Sequence, residues 1–181
     1  MPEKLHFEPA VNRPDLLPAS INELLKNWRG STPAEEIWVT PIDAEYADSA
    51  KFCEYYGVDP ASGANCVIGV ATKGERRTFA ACLIPVNCRA DLNNVARKTL
   101  GARRVSFAPL DEVLAETGME YGGITPVGLP ESYPILIDWR IAEMKRLIIG
   151  GGLRKSKISV PGKALAELPN AVIVEGLGKE I

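Results

Sequence analysis

Asn65-Cys66-Val67-Ile68-Gly69-Val70-Ala71-Thr72 and Thr78-Phe79-Ala80-Ala81-Cys82-Leu83-Ile84-Pro85-Val86 are two apolar runs joined through Lys73-Gly74-Glu75. Two runs of this kind on either side of a glycine turn predict an antiparallel hairpin, and their continuous hydrophobicity predicts that both strands are buried. A hairpin here argues against a purely parallel, doubly wound sheet, whose strands need long crossover connections. The expected class is α+β, with a mixed, strongly curved β-sheet and flanking helices.

After the hairpin, Asp91 opens a helix whose Leu92, Val95, Ala96 and Leu100 face inward, with Gly101 closing it. Arg97, Lys98, Arg103 and Arg104 gather at its end, where cations suit the helix dipole; a solvated face and a phosphate contact both remain open. Val105 to Ala108 predicts a strand and Pro109 the first turn of a helix ending at Gly118. Ile135-Leu136-Ile137-Asp138 and Leu147-Ile148-Ile149 predict strands separated by a brief polar segment. Gly150-Gly151-Gly152 predicts a tight hairpin turn; it lacks the spacing of a nucleotide-binding motif. Lys157 to Val160, Gly162 to Leu168 and Ala171 to Val174 predict a strand, a helix and a strand.

Before the hairpin, Met1 to Ala19 carries four prolines and reads as an irregular arm. Ser20-Ile21-Asn22-Glu23 predicts a capping box and a helix to about Trp28; Glu36 to Thr40 predicts a strand. Asp43 is the expected N-cap of a helix presenting Tyr46, Ala50 and Cys53 on one face, with Gly57 at its C-terminal boundary. Residues 1–31 are thus expected to form an arm and helix, and residues 32–178 the domain.

The chain has 181 residues and a formal charge of −2, so contact with nucleic acid must use a local patch. No apolar run approaches the roughly 20 residues of a membrane span, and the start lacks the apolar segment of a signal peptide; a cytoplasmic protein without membrane partners is expected. Cys53, Cys66, Cys82 and Cys88 form no C-x-x-C pair, so reduced thiols are expected and no metal site. His6 is the single histidine and lies in a polar terminal segment, so catalysis has to proceed without imidazole as general base. No cofactor is expected.

Thr117-Gly118-Met119-Glu120-Tyr121-Gly122-Gly123-Ile124-Thr125-Pro126-Val127-Gly128-Leu129-Pro130 is too rich in glycine and proline for regular structure. It reads as a shaped loop whose fixed N–H groups suit an oxyanion or a phosphate, although most loops of this composition are only turns.

The run Gly118 to Gly128, with Leu100-Gly101-Ala102-Arg103-Arg104-Val105-Ser106-Phe107-Ala108 before it and Ile135-Leu136-Ile137-Asp138 after it, resembles the YbaK/EbsC family. That family comprises aminoacyl-tRNA deacylases and the editing insertion of bacterial prolyl-tRNA synthetase, and the resemblance extends from about Thr32 to Gly176. It implies hydrolysis of mischarged aminoacyl-tRNA at its 3′ end, with an aminoacyl-tRNA synthetase as a further partner. On that reading Gly122, Gly123 and Thr125 supply backbone donors and a hydroxyl for catalysis. Asn65, Cys66, Val67, Ala80, Cys82, Ile124 and Pro126 would line the substrate pocket. Lys98, Arg103, Arg104 and Arg154 are the candidate tRNA contacts. The sequence departs from the family at one point: the deacylases carry a lysine on the first hairpin strand, where this chain has Cys66, or Asn65 if the alignment slips by one. Three readings stay open: a deacylase of altered specificity, a catalytically silent module that binds the charged 3′ end, and a thiol enzyme using Cys66.

Overall fold

Residues 4–181 are described by a computed structural model. The chain runs β1 (Glu8–Pro9), α1 (Ala19–Lys26), β2 (Trp38–Pro41), α2 (Ser49–Tyr56), β3 (Ala64–Lys73), β4 (Arg76–Pro85) and β5 (Cys88–Ala90). A π-helical turn, Leu92–Ala96, leads into α3 (Arg97–Thr99), followed by β6 (Arg104–Phe107), α4 (Leu110–Thr117), β7 (Ile135–Asp138) and α5 (Trp139–Glu143). The remainder is β8 (Leu147–Gly150), β9 (Ser156–Val160), α6 (Gly162–Ala166), β10 (Ala171–Val174) and β11 (Gly178–Glu180).

The hairpin forms as its sequence predicts, with β3 and β4 paired antiparallel from Ala64↔Pro85 to Lys73↔Arg76. It is the centre of a five-stranded sheet in the order β10-β7-β4-β3-β6. β6 is antiparallel to β3, whereas β7 is parallel to β4 and to β10, so the sheet is mixed. A second, antiparallel sheet has the order β1-β2-β9-β8, and β5 pairs with β11.

Strand alternation assigns the hairpin's side chains to two cores. Ile68, Ala81, Leu83, Ile135 and Ile137 pack with Val39, Leu147, Ile149, Ile158 and Val160 of the second sheet. Cys82, Leu136 and Val174 face the opposite way, onto Leu92, Ala96 and Val105. The N-terminal arm is not peripheral: Ala10, Leu16, Leu17, Ile21 and Leu25 belong to the first of these cores.

Three local expectations are corrected. Helix α1 starts at Ala19 after Pro18, which places Ser20 inside the first turn, and no capping box forms; its Oγ is buried without a partner among the described residues. Asp48, not Asp43, caps α2 by accepting from the N–H groups of Ala50 and Lys51, while Asp43 caps the short turn Ala44–Tyr46. The brief polar segment after β7 is a helix, α5, because the Asp138 carboxylate accepts from the N–H of Arg140 and starts it. Gly57 and Gly118 close α2 and α4 in the left-handed conformation, as expected.

Candidate functional site

Past Gly118 the glycine-proline loop lies along the β8–β9 turn. The Gly152 N–H donates to the Gly123 carbonyl (2.7 Å), and the Glu120 N–H donates to the Gly152 carbonyl (2.8 Å). The Arg154 guanidinium donates from Nη1 to the Tyr121 carbonyl (2.8 Å) and from Nη2 to that of Ala44 (2.7 Å), joining the loop to the 43–48 turn. Sterics explain the glycines on both sides. A Cβ on Gly123 would stand 2.9 Å from backbone atoms of Gly152 and Leu153, and one on Gly150 would stand 2.6 Å from the Gly123 carbonyl oxygen. Gly122 has φ +82°, and a Cβ there would meet Arg154 Nη1 at 2.8 Å and Ala47 Cβ at 3.3 Å. The triple glycine therefore does more than turn the chain: it lets the loop backbone sit directly on the β8–β9 turn.

The loop's donors divide unevenly. The Gly123 N–H is committed to the Glu120 carbonyl (2.9 Å), so it does not point out as an oxyanion donor. The N–H groups of Gly122, Ile124 and Thr125 have no acceptor among the described residues. Thr125 is fully buried, and its Oγ1 also lacks a partner among them. A buried hydroxyl left unpaired costs about 1–3 kcal/mol, so the loop carries unused hydrogen-bonding capacity.

The hairpin residues expected to line one pocket do not all face one way. Cys66 packs with Ala64, Ile68, Ala81 and Leu83, on the core that Ile124 also touches. Val67 and Cys82 pack into the opposite core, and Asn65 and Ala80 share their face by alternation and register. Ala80 and Cys82 are each 1% exposed and offer no surface to a ligand. The Asn65 Oδ1 accepts from Ser49 Oγ at the head of α2 (2.5 Å). Pro126 lines a cavity of ≈ 50 Å³ with Leu24, Leu129 and Leu168. Apolar burial pushes the Cys82 thiol up to about 12, and raises that of the half-buried Cys66 far above its ordinary range. Neither thiol is a thiolate at neutral pH.

Lys157 is the residue that sequence reasoning missed, because it reads as part of the basic run after the triple glycine. It lies on β9, is 4% exposed, and donates from Nζ to the Ala47 carbonyl at 2.7 Å, beside the Phe52 ring. Burial lowers its pKa to about 8, against a smaller opposing pull from Asp48 and Cys53; Arg154 adds to the lowering. Together with Arg154 it fixes the 43–48 turn against which Gly122 rests. Of the candidate tRNA contacts, Lys98, Arg103 and Arg104 are exposed, whereas Arg154 is engaged in the clamp just described.

Residues 43–168 match the family model described as an aminoacyl-tRNA editing domain. Among known proteins the chain is 27% identical over 111 residues to "Putative Cys-tRNA(Pro)/Cys-tRNA(Cys) deacylase EbsC" of Enterococcus faecalis, covering 61% of this chain and 67% of that one. It is 32% identical over 75 residues to "Uncharacterized protein YwhH" of Bacillus subtilis, covering 41% and 47%. The fold is shared with the crystal structure of "a putative trans-editing enzyme for prolyl tRNA synthetase" (TM-score 0.71, 21% identity, 91% and 99% covered). It is shared equally with that of "hypothetical protein APE2540" (0.70, 22%, 88% and 99%).

Proposed function

The chain belongs to the aminoacyl-tRNA editing domain family, and from that premise we propose that it hydrolyses the ester of mischarged aminoacyl-tRNA in trans. The observation that carries the proposal is the clamped loop, whose Gly122, Ile124 and Thr125 N–H groups have no acceptor among the described residues. Water adds to the ester carbonyl, the carbonyl oxygen becomes an oxyanion, and the bond to the ribose oxygen breaks as that oxygen takes up a proton. Fixed N–H donors favour the oxyanion over the ground-state carbonyl, and one such donor is typically worth about 10²–10³ in rate. Thr125 is fully buried, so its Oγ1 lies behind the loop backbone and the oxyanion is left to the N–H groups. Such a mechanism needs no histidine. Editing is required because a synthetase pocket separates side chains differing by one methylene by only about 1–3 kcal/mol.

The desolvated Cys66 thiol argues against the thiol reading, since the thiolate is the nucleophile. The silent-module reading is favoured by one observation, the cysteine at the position where the family has lysine. A deacylation screen separates the two. Cysteine and alanine on tRNA(Pro) are the first substrates, cysteine because a relative's name carries it. Release of at least one amino acid is expected. Saturable binding of charged tRNA with no turnover across the screen would establish the silent module instead.

A further inference from the structure

We propose that the groove between β5, β6 and β11 is an RNA-binding surface that takes unpaired nucleotides at the tRNA 3′ end; the identity of the RNA rests on the editing reading. The groove has a volume of ≈ 590 Å³, and among its lining residues are Arg89, Asp91, Arg104, Phe107 and Lys179. That volume lies in the range of ligand sites, roughly 300–1,000 Å³. Its charge runs against that of the whole chain, which is −2. Lys179 Nζ stands 3.9 Å from Asp91 Oδ2 and answers the groove's one acid. Arg89 and Arg104 are exposed, and neither guanidinium has a hydrogen-bond or ion-pair partner among the described residues. Arg13, Arg140, Arg146 and Arg154 are each bonded to a carboxylate or a backbone carbonyl, whereas Arg29, Arg76 and Arg103 are exposed in the same way as the groove pair but do not line this groove with its aromatic ring.

Phe107 supplies the second half of the argument. It is 67% exposed although it shares a strand face with the buried Val105, and it lies on the edge of the sheet, since among the described residues β6 pairs with β3 alone. An exposed aromatic ring by itself is ordinary. Two unpaired guanidinium groups in the same groove change its meaning, because single strands are held by cations on the backbone and aromatic faces under the bases. A duplex presents no free base face to one ring, so an unpaired end is the form that fits. Phe107 is opposite Gly69, and Gly69, Val67 and Asn65 share the face of β3 that turns away from Cys66 and the core Ile124 touches; the groove thus lies across the sheet from the loop, about 13 Å along the strand from the Asn65 side chain at the head of α2.

The test is fluorescence-anisotropy titration of the full chain with two probes: uncharged tRNA, and a labelled single-stranded RNA of six nucleotides. Phe107→Ala and Arg104→Ala, both exposed and away from the loop, are each expected to weaken binding of both probes about tenfold with an unchanged melting temperature. Arg104→Ala should also reduce the slope of log affinity against log salt by about 0.7, the value for one phosphate of a single strand, while Phe107→Ala leaves the slope unaltered. Unchanged affinity in both variants, or equal competition by poly-glutamate or by blunt duplex RNA, overturns the proposal. Deacylation that proceeds equally in the parent chain and in both variants would remove the groove but keep the editing function. Groove-dependent RNA binding without hydrolysis of any substrate would do the reverse.

Discussion

Lys157 shows how one residue links burial to the site. An ammonium enclosed among Phe52, Cys53 and Ile149 loses hydration that one carbonyl, that of Ala47, replaces only in part. Its pKa falls from 10.5 to about 8, so below pH 8 folded and unfolded chains both carry the proton and the desolvation cost is fully present. Between about pH 8 and 10.5 the folded chain releases the proton while the unfolded chain keeps it, and stability therefore rises with pH across this window. The gain is on the order of 1–3 kcal/mol, several degrees in melting temperature for a chain of this size. Lys157→Met should abolish this rise, and melting curves at pH 7.5, 9 and 10 for parent and variant check it. Parallel curves for the two proteins would show that another group is responsible.

At the scale of elements, the loop and the β8–β9 turn behave as one unit. Gly123→Val is expected to lower the melting temperature, because its Cβ would stand 2.9 Å from backbone atoms that cannot turn aside as a side chain can. Overpacking of this kind costs about 1–3 kcal/mol, and deacylation should fall as the loop donors shift. Gly57→Ala is the control: at φ +65° with open space around it, it should cost about 1 kcal/mol and leave turnover untouched. Read from the sequence, Gly123 is a backbone donor in a shaped loop: the need for glycine is legible there but its cause is not. Torsion is the cause at Gly122, and contact with residues 150–153 is the cause at Gly123. The same division runs through the chain. The β3–β4 hairpin and the glycine ends of α2 and α4 are local patterns and were legible. The second sheet depends on pairing between segments more than 100 residues apart, as in Thr40↔Lys157, and no local pattern announces it. Nor does period-2 alternation reveal which expected pocket residues are occluded, since Cys82 is closed off by Leu136 of β7 and by Leu92 and Ala96 of the π-helical turn rather than by its own strand.

At the scale of the molecule, composition suggests an arm over residues 1–31 that is separate from the domain, and the family match begins only at residue 43. Packing argues that the arm is a structural part of the whole. Ala10 and Ile21 are fully buried, and Leu16, Leu17 and Leu25 are at most 5% exposed, all in the core shared by the two main sheets. β1 extends the second sheet through its pairing with β2, and the Ser156 Oγ on β9 donates to the Leu16 carbonyl at 2.8 Å. Pro18 and Ile21 also lie against Gly152, in the turn that seats the glycine-proline loop. Fully burying one large aliphatic side chain contributes about 1.5–3 kcal/mol, so losing four of them together removes on the order of 10 kcal/mol, comparable with the whole stability of an ordinary domain. A chain beginning at residue 32 should therefore fail to fold cooperatively, even though it retains the entire segment matched by the family model. Urea titration followed by tryptophan fluorescence reads the result, with Trp38 and Trp139 retained in the shortened chain. A sharp transition at the parent's midpoint would show that residues 32–178 are an autonomous domain and that the arm merely covers it.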